Sequence, residues 1–242
     1  MATGLRKLSI IIPAYNEERT IDELLKRVES AILHLPSVTS ISEHEIIVVD
    51  DASSDGTAEV VKRHRAAIRY LRQDRNQGKG AAIRRGFAEA TGDVILIQDA
   101  DLEYDPKDYP KLLKPIINDV ADVVYGSRFR GDIQRVLYFW HFVGNFVVTL
   151  ISDMLTNLNL SDTYVCYKVF RKEVVAEILP RLKSDGFAIE AELTARIAHK
   201  KWRIYEVPIS YFGRTYEEGK KIRAWDGVKA IFAIIYFNLF GR

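Results

Sequence analysis

The chain has a single cysteine, Cys166, among 242 residues. That excludes an intramolecular disulfide framework and fits a reducing compartment. Net charge is nearly absent, at +2, which argues against nucleic acid as a partner. No run reaches the roughly 18 uncharged apolar residues of a membrane span. No secretory leader is visible either, because the first apolar run covers only residues 8–12 and reads as a strand. The five histidines show no metal spacing, and the phosphate loop GxxxxGK[ST] is missing. Internal repeats, low-complexity stretches and linkers are also lacking.

What is present is a core-sized share of apolar residues, 48%, and a regular alternation. Strand-like runs at 8–12, 45–49, 68–71, 94–98 and 122–125 alternate with helical patterns at 18–34, 57–64, 78–90 and 106–117. This order predicts an α/β fold, a mostly parallel Rossmann-like sheet with helices on both faces. The strands are continuous Val/Ile/Leu runs, as in strands buried on both sides. After residue 130 the alternation stops. Helical patterns at 137–160, 172–179, 188–199 and 225–240 and a strand-like stretch at 202–211 follow. We expect one domain over 1–242, in two halves that meet near residue 130 (1–130 and 131–242).

Ligands of parallel sheets gather beyond the carboxyl ends of the strands. Three predicted strand ends carry polar clusters there: Pro13-Ala14-Tyr15-Asn16-Glu17, Asp50-Asp51-Ala52-Ser53-Ser54-Asp55-Gly56-Thr57, and Asp99-Ala100-Asp101 followed by Leu102-Glu103. Carboxylates at i and i+2 past a buried strand suit a hard divalent cation held against a diphosphate. Asp50 or Asp51 is placed to accept N–H bonds from a nucleotide base. Asn76-Gln77-Gly78-Lys79-Gly80 opens a helix, where glycines permit close backbone approach and Lys79 can meet a phosphate or an acidic loop. Gly126-Ser127-Arg128 follows another strand, and an Arg there suits phosphate charge through forked bonds. Arg135 is a further phosphate candidate, as are Arg214, Lys220 and Lys221 within a segment (196–229) holding nine Lys/Arg against four acids. Asp162 and Lys168 bracket a turn after the long helix. Asp162 is an acceptor-side ligand or a base, and Glu190 or Glu192 can face the cleft. Cys166 reads as a packed apolar residue.

Together these motifs resemble, over nearly the whole chain, the family-2 glycosyltransferases of GT-A fold. Within them the similarity is to the branch of dolichol-phosphate mannose synthases and polyprenyl-phosphate glucosyltransferases. The stretch 162–171, ending Cys166-Tyr167-Lys168-Val169-Phe170-Arg171, is similar to the acceptor-side motif of that branch. The resemblance implies a nucleotide sugar (GDP-mannose or UDP-glucose class), Mg²⁺ or Mn²⁺, inversion at the anomeric carbon and a lipid-phosphate acceptor. It implies that Pro13, Tyr15 and Glu17 border the nucleotide and that Asp50 or Asp51 reads the base. Asp99, Ala100 and Asp101 would meet ribose and metal, with Glu103 an added metal ligand. Arg128 would face a phosphate, and Asp101, Arg128 and Asp162 would form the catalytic set. The alternatives are transfer to a soluble or glycan hydroxyl, or a non-catalytic nucleotide-sugar-binding subunit. The apolar segments 137–160 and 225–240 suit peripheral contact with the cytoplasmic membrane face, a membrane subunit, a second copy or the core.

Overall fold

The computed structural model describes residues 4–64, 67–131, 135–136, 138–215, 217 and 224–241. A seven-stranded sheet runs through both halves of the sequence. Its strands are β1 (Lys7–Ala14), β2 (Glu43–Asp50), β3 (Ile68–Arg72), β4 (Val94–Ile97), β5 (Val123–Ser127), β6 (Lys168–Arg171) and β7 (Ile204–Pro208). The order is β3-β2-β1-β4-β6-β5-β7. All strands run the same way except β6, which pairs antiparallel with both β4 and β5. The α/β fold with a mostly parallel sheet is therefore as expected. The expected strand at 202–211 is shorter, and β6 had no counterpart in the sequence pattern.

Helices α1 (Ile21–Val38), α2 (Thr57–Arg63), α3 (Lys79–Glu89) and α4 (Tyr109–Ile117) follow β1, β2, β3 and β4. In α1 the buried positions Ile21, Leu24, Leu25, Val28, Ile32 and Leu35 recur at helical spacing. Burying each such side chain contributes about 1.5–3 kcal/mol. Both faces of the sheet are covered. In β2, Ile46 and Val48 join the main core with α1, whereas Ile47 and Val49 pack on Ala82 of α3.

The second half adds α5 (Phe139–Thr156), α6 (Lys172–Ile178), α7 (Ile189–His199) and α8 (Ala224–Leu239). The helix expected over 137–160 is thus shorter. Asn157 takes a left-handed conformation at φ 56° and ends it. Val148, Ala191, Ala230 and Ile234 form a small apolar cluster between α5, α7 and α8. Among the described residues no helix is long and apolar enough to cross a membrane.

Asp122, before β5, fastens the sheet to the segment leading into β7. It accepts from Arg203 N (2.9 Å), Nε (3.0 Å) and Nη2 (2.7 Å). The Arg203 bonds hold its carboxyl below the usual range, against the opposing pull of burial. A depressed native pKa adds stability above the unfolded-state value and loses it as pH falls through the native one. Asp122→Asn should therefore cost about 1 kcal/mol at neutral pH. The cost should shrink in acid, as pH falls toward the lowered native value. Urea midpoints of both proteins at pH 7 and pH 3 test this, and an equal loss at both values contradicts it.

Candidate active site

Parallel strands put their carboxyl ends on one edge, so the loops after β1, β2, β4 and β5 meet there. Because β6 runs backwards, it is the loop before it, carrying Asp162 and Cys166, that reaches the same edge. Lys168 sits in register with Ile97 and Tyr125.

The β1 and β2 loops are laced together. Asn16 N donates to Ser53 Oγ (2.9 Å), Glu17 N to Thr57 Oγ1 (2.9 Å), and Ser54 N to Asn16 Oδ1 (2.8 Å). Asn16 and Ala52 take left-handed φ of 54° and 58° to make these turns. Pro13, the penultimate residue of β1, is half-buried, Tyr15 is exposed, and Glu17 accepts from Thr20 Oγ1 at 2.7 Å.

Asp50 and Asp51 are both buried, with their oxygens turned to the chain itself. Asp50 accepts from Ser53 N (2.8 Å) and from Tyr70 Oη (2.5 Å), and burial with that bond pushes the Tyr70 phenol up to about 12. Asp51 accepts from Gln73 Nε2 (2.5 Å), Gln77 N (2.8 Å) and Gly78 N (2.7 Å). Asp51 thereby shapes the loop that enters α3. Gly78 has φ 99°, and a Cβ there would lie 2.5 Å from the Asp185 carbonyl oxygen. A Cβ on Gly80 would collide with the Ser184 carbonyl oxygen. The expected close backbone approach is thus made by the chain's own 184–186 segment.

Lys79 reaches across the edge. Its Nζ lies 2.8 Å from Asp99 Oδ1, 2.6 Å from Cys166 Sγ and 3.4 Å from Glu190 Oε1. Burial opposes its charge, but Asp99, Cys166 and Glu190 prevail and hold the ammonium well above the usual lysine range. Cys166 packs against the core as expected, and also accepts from Lys79. Burial pushes its thiol up.

Beyond β4, Ala100 turns its methyl into the core, so only its backbone faces the edge. Asp101 and Glu103 share Arg214. Arg214 Nη2 donates to Asp101 Oδ2 (2.6 Å), and its Nε and N donate to Glu103 Oε1 (3.1 Å each). Tyr211 Oη donates to Glu103 Oε2 at 3.2 Å. Burial, with Asp99 and Glu103 alongside, pushes the Asp101 carboxyl up to about 7 against the pull of Arg214. Among the described residues no three acidic, His or Cys side chains converge as a ready metal cluster. The reason is visible: Lys79 and Arg214 draw Asp99 and Asp101 to different partners.

Arg128 follows β5 and is clamped by Asp162, through Nε to Oδ2 (2.6 Å) and Nη2 to Oδ1 (2.8 Å). Its guanidinium carbon stands 5.2 Å from the Tyr211 ring centroid. Asp162 is fully buried, also accepts from Arg128 N and Asn145 Nδ2, and is held from its own N–H by Glu206 Oε1 at 3.1 Å. It sits beneath Arg128 as its holder. Glu190 is buried against Lys168, whereas Glu192 faces away, accepting from Lys183 N, Ser184 N and Arg196. Arg135 donates to the Gly213 carbonyl at 3.2 Å. Lys220 and Lys221 lie outside the described residues. A cavity of about 540 Å³ lies at the other end of α7, lined by Glu177, Arg181, His199 and Lys200, away from these groups.

Sequence reasoning gave Tyr211, Glu206 and Asn145 no role and marked Lys168 only as the basic end of a turn; the signal for its burial was the apolar pair Val169-Phe170 beside it.

Residues 9–179 match the family model Glycosyl transferase family 2. The chain belongs to the family 2 glycosyltransferases. This glycosyltransferase is 31% identical to a Pyrococcus furiosus protein named dolichol-phosphate mannosyltransferase, over 88% of its own length and 59% of that relative. It is 29% identical to a Pseudomonas fluorescens undecaprenyl-phosphate 4-deoxy-4-formamido-L-arabinose transferase, again over 88% of itself and 59% of the relative. It therefore spans under two thirds of either. Among solved structures, glucosyl-3-phosphoglycerate synthase from Mycobacterium tuberculosis, in complex with Mn²⁺, UDP and phosphoglyceric acid, superposes with a TM-score of 0.71 at 18% identity. That match covers 96% of this glycosyltransferase and 78% of the synthase. The likeness establishes the GT-A fold.

Proposed function

We propose that this glycosyltransferase moves a hexose from a nucleotide sugar to a polyprenyl-type lipid phosphate, with inversion and with Mg²⁺ or Mn²⁺. The observation that carries the reading is one sheet edge where Asp99, Asp101 and Glu103 face Lys79 and Arg214, with Arg128 held on Asp162 at the same edge. A departing nucleoside diphosphate needs both a cation site and fixed positive charge. The lipid-phosphate class is supported by the names of the two curated relatives.

The donor set fits a divalent cation: hard carboxylate oxygens two positions apart at a strand end, with like charges crowded together. Asp99 and Asp101 would hold it. Glu103, with both oxygens engaged, joins only if Arg214 and Tyr211 release it. A bound cation supplies neutralisation of the leaving diphosphate. The chain's own residues do the rest. Pro13, Tyr15 and Glu17 line the nucleotide side, and Asp50 and Asp51 fix the loops around the base. Arg128, fixed by Asp162, presents its guanidinium to the acceptor phosphate. That phosphate is already anionic near neutral pH, so its oxygen attacks the anomeric carbon without a strong base.

We place residues 1–130 on the donor side and 131–242 on the acceptor side. The outer faces of α5 and α8 present Phe139, Trp140, Phe142, Phe146, Phe232 and Tyr236 to solvent. Asn145 and Asp153 of α5 turn inward, to Arg128 and to Leu160 N. The exposed aromatics suit a helix pair lying in the cytoplasmic membrane interface. Anionic vesicles carrying polyprenyl phosphate, with GDP-mannose or UDP-glucose and Mn²⁺, test the reading. We expect the enzyme to sediment with the vesicles and to form a lipid-linked hexose visible by mass spectrometry. Transfer to glycan hydroxyls but not to the lipid would overturn the acceptor.

A further inference from the structure

Glu190 is a buried charge to which the chemistry above gives no task. It lies in the first turn of α7, 2% exposed. Its Oε2 accepts from Lys168 Nζ, which also donates to the Thr163 and Val165 carbonyls. Its Oε1 has no hydrogen-bond partner, although Lys79 Nζ is only 3.4 Å away. The same ammonium is 2.8 Å from Asp99 Oδ1. Lys79 thus stands between two carboxylates, bonded to one and within a small shift of the other. A buried acceptor left unmade is costly, so the empty position at Oε1 calls for a reason.

A divalent cation at Asp99 competes with Lys79 for the same carboxylate. An ammonium displaced inside a buried site is strongly destabilised unless another anion receives it. We infer that Glu190 is a positioning residue that takes up Lys79 when a divalent cation claims Asp99. The inference rests on the metal-binding reading of Asp99. It also explains why Glu190 keeps one oxygen on Lys168: the loop leading to β6 stays fixed while the other oxygen receives Lys79.

The test is Mn²⁺ binding to the full chain, with no sugar or acceptor, read from the electron paramagnetic resonance signal of free Mn²⁺. Glu190→Gln should weaken binding on the order of tenfold, because Lys79 then stays on Asp99. Lys79→Met should bind Mn²⁺ at least as tightly as the wild type. In the Lys79→Met background, Glu190→Gln should change affinity by less than about twofold, since the route through Lys79 is gone. An equal loss in both backgrounds means that Glu190 acts on the cation directly, and overturns the inference. So does unchanged affinity in Glu190→Gln. If that variant does not fold, Glu190→Asp runs the same cycle. It keeps the charge but withdraws it from Lys79, and should show a smaller loss that again disappears without Lys79. Asp99→Asn separates the two levels. Mn²⁺ binding unaffected by Asp99→Asn removes the metal reading itself. Binding that needs Asp99 but ignores Glu190 removes only the role of Glu190.

Discussion

Replacing Asp101 by Ala should abolish sugar transfer, by on the order of a thousandfold or more, about 4 kcal/mol of lost transition-state stabilisation. The protein should stay folded. Arg214 keeps Glu103 as a partner at 3.1 Å, so no guanidinium is left alone. The truncated side chain stood among like charges, and removing one of them relieves crowding. Excess EDTA should silence the wild type in the same way, with activity restored by Mn²⁺ or Mg²⁺. Nucleoside diphosphate release measures all three conditions. Wild-type turnover that persists in EDTA would sink the assignment of Asp99 and Asp101 to a metal.

Arg128→Lys should lower kcat/KM by on the order of tenfold or more, about 1.4 kcal/mol. Lysine keeps the charge but loses the planar fork. Arg128 uses Nε and Nη2 on the two oxygens of Asp162 and leaves its plane over Tyr211. A lysine ammonium makes one of these contacts at a time, so the cation is held less firmly against an incoming phosphate. The loss should appear when lipid phosphate is varied at saturating donor. Kinetics unchanged in that experiment would return Arg128 to a purely structural place beside Asp162.

The first half of the fold was legible because its signals are local. Apolar runs at β1, β2 and β4, turn residues after them and helical spacing in α1 all lie within windows of a few residues. The rule for carboxyl ends of parallel strands then brought Pro13, Asp50, Asp51 and Asp99 to one edge before any coordinates. β6 escaped because its four residues, Lys168–Arg171, contain only two apolar side chains in a row. Its identity as a strand comes from β4 and β5 on either side. The pairings within the site escaped for the same reason. Lys79 meets Cys166 across 87 residues of sequence, and Asp101 meets Arg214 across 113. Spacing along a chain carries no record of such encounters. The roles of Asp50, Asp51 and Asp162 also look different in three dimensions. As polar residues at loop starts they read as ligand contacts, whereas burial turns their oxygens toward the backbone and Arg128.

The reversed strand has a consequence for how the molecule is made. Strands β1 to β4 are complete by Ile97, but the open side of β4 is covered only by β6, which begins at Lys168. During synthesis the apolar run Val94–Ile97 therefore waits with unpaired backbone groups for some seventy residues of chain. Such an edge is a template for pairing with other molecules. Late, long-range closure of this kind also slows folding. Fragments that stop before Lys168 should accordingly collect in inclusion bodies even though they carry most of the acidic edge. A chain lengthened past Arg171 acquires the strand that seals the sheet.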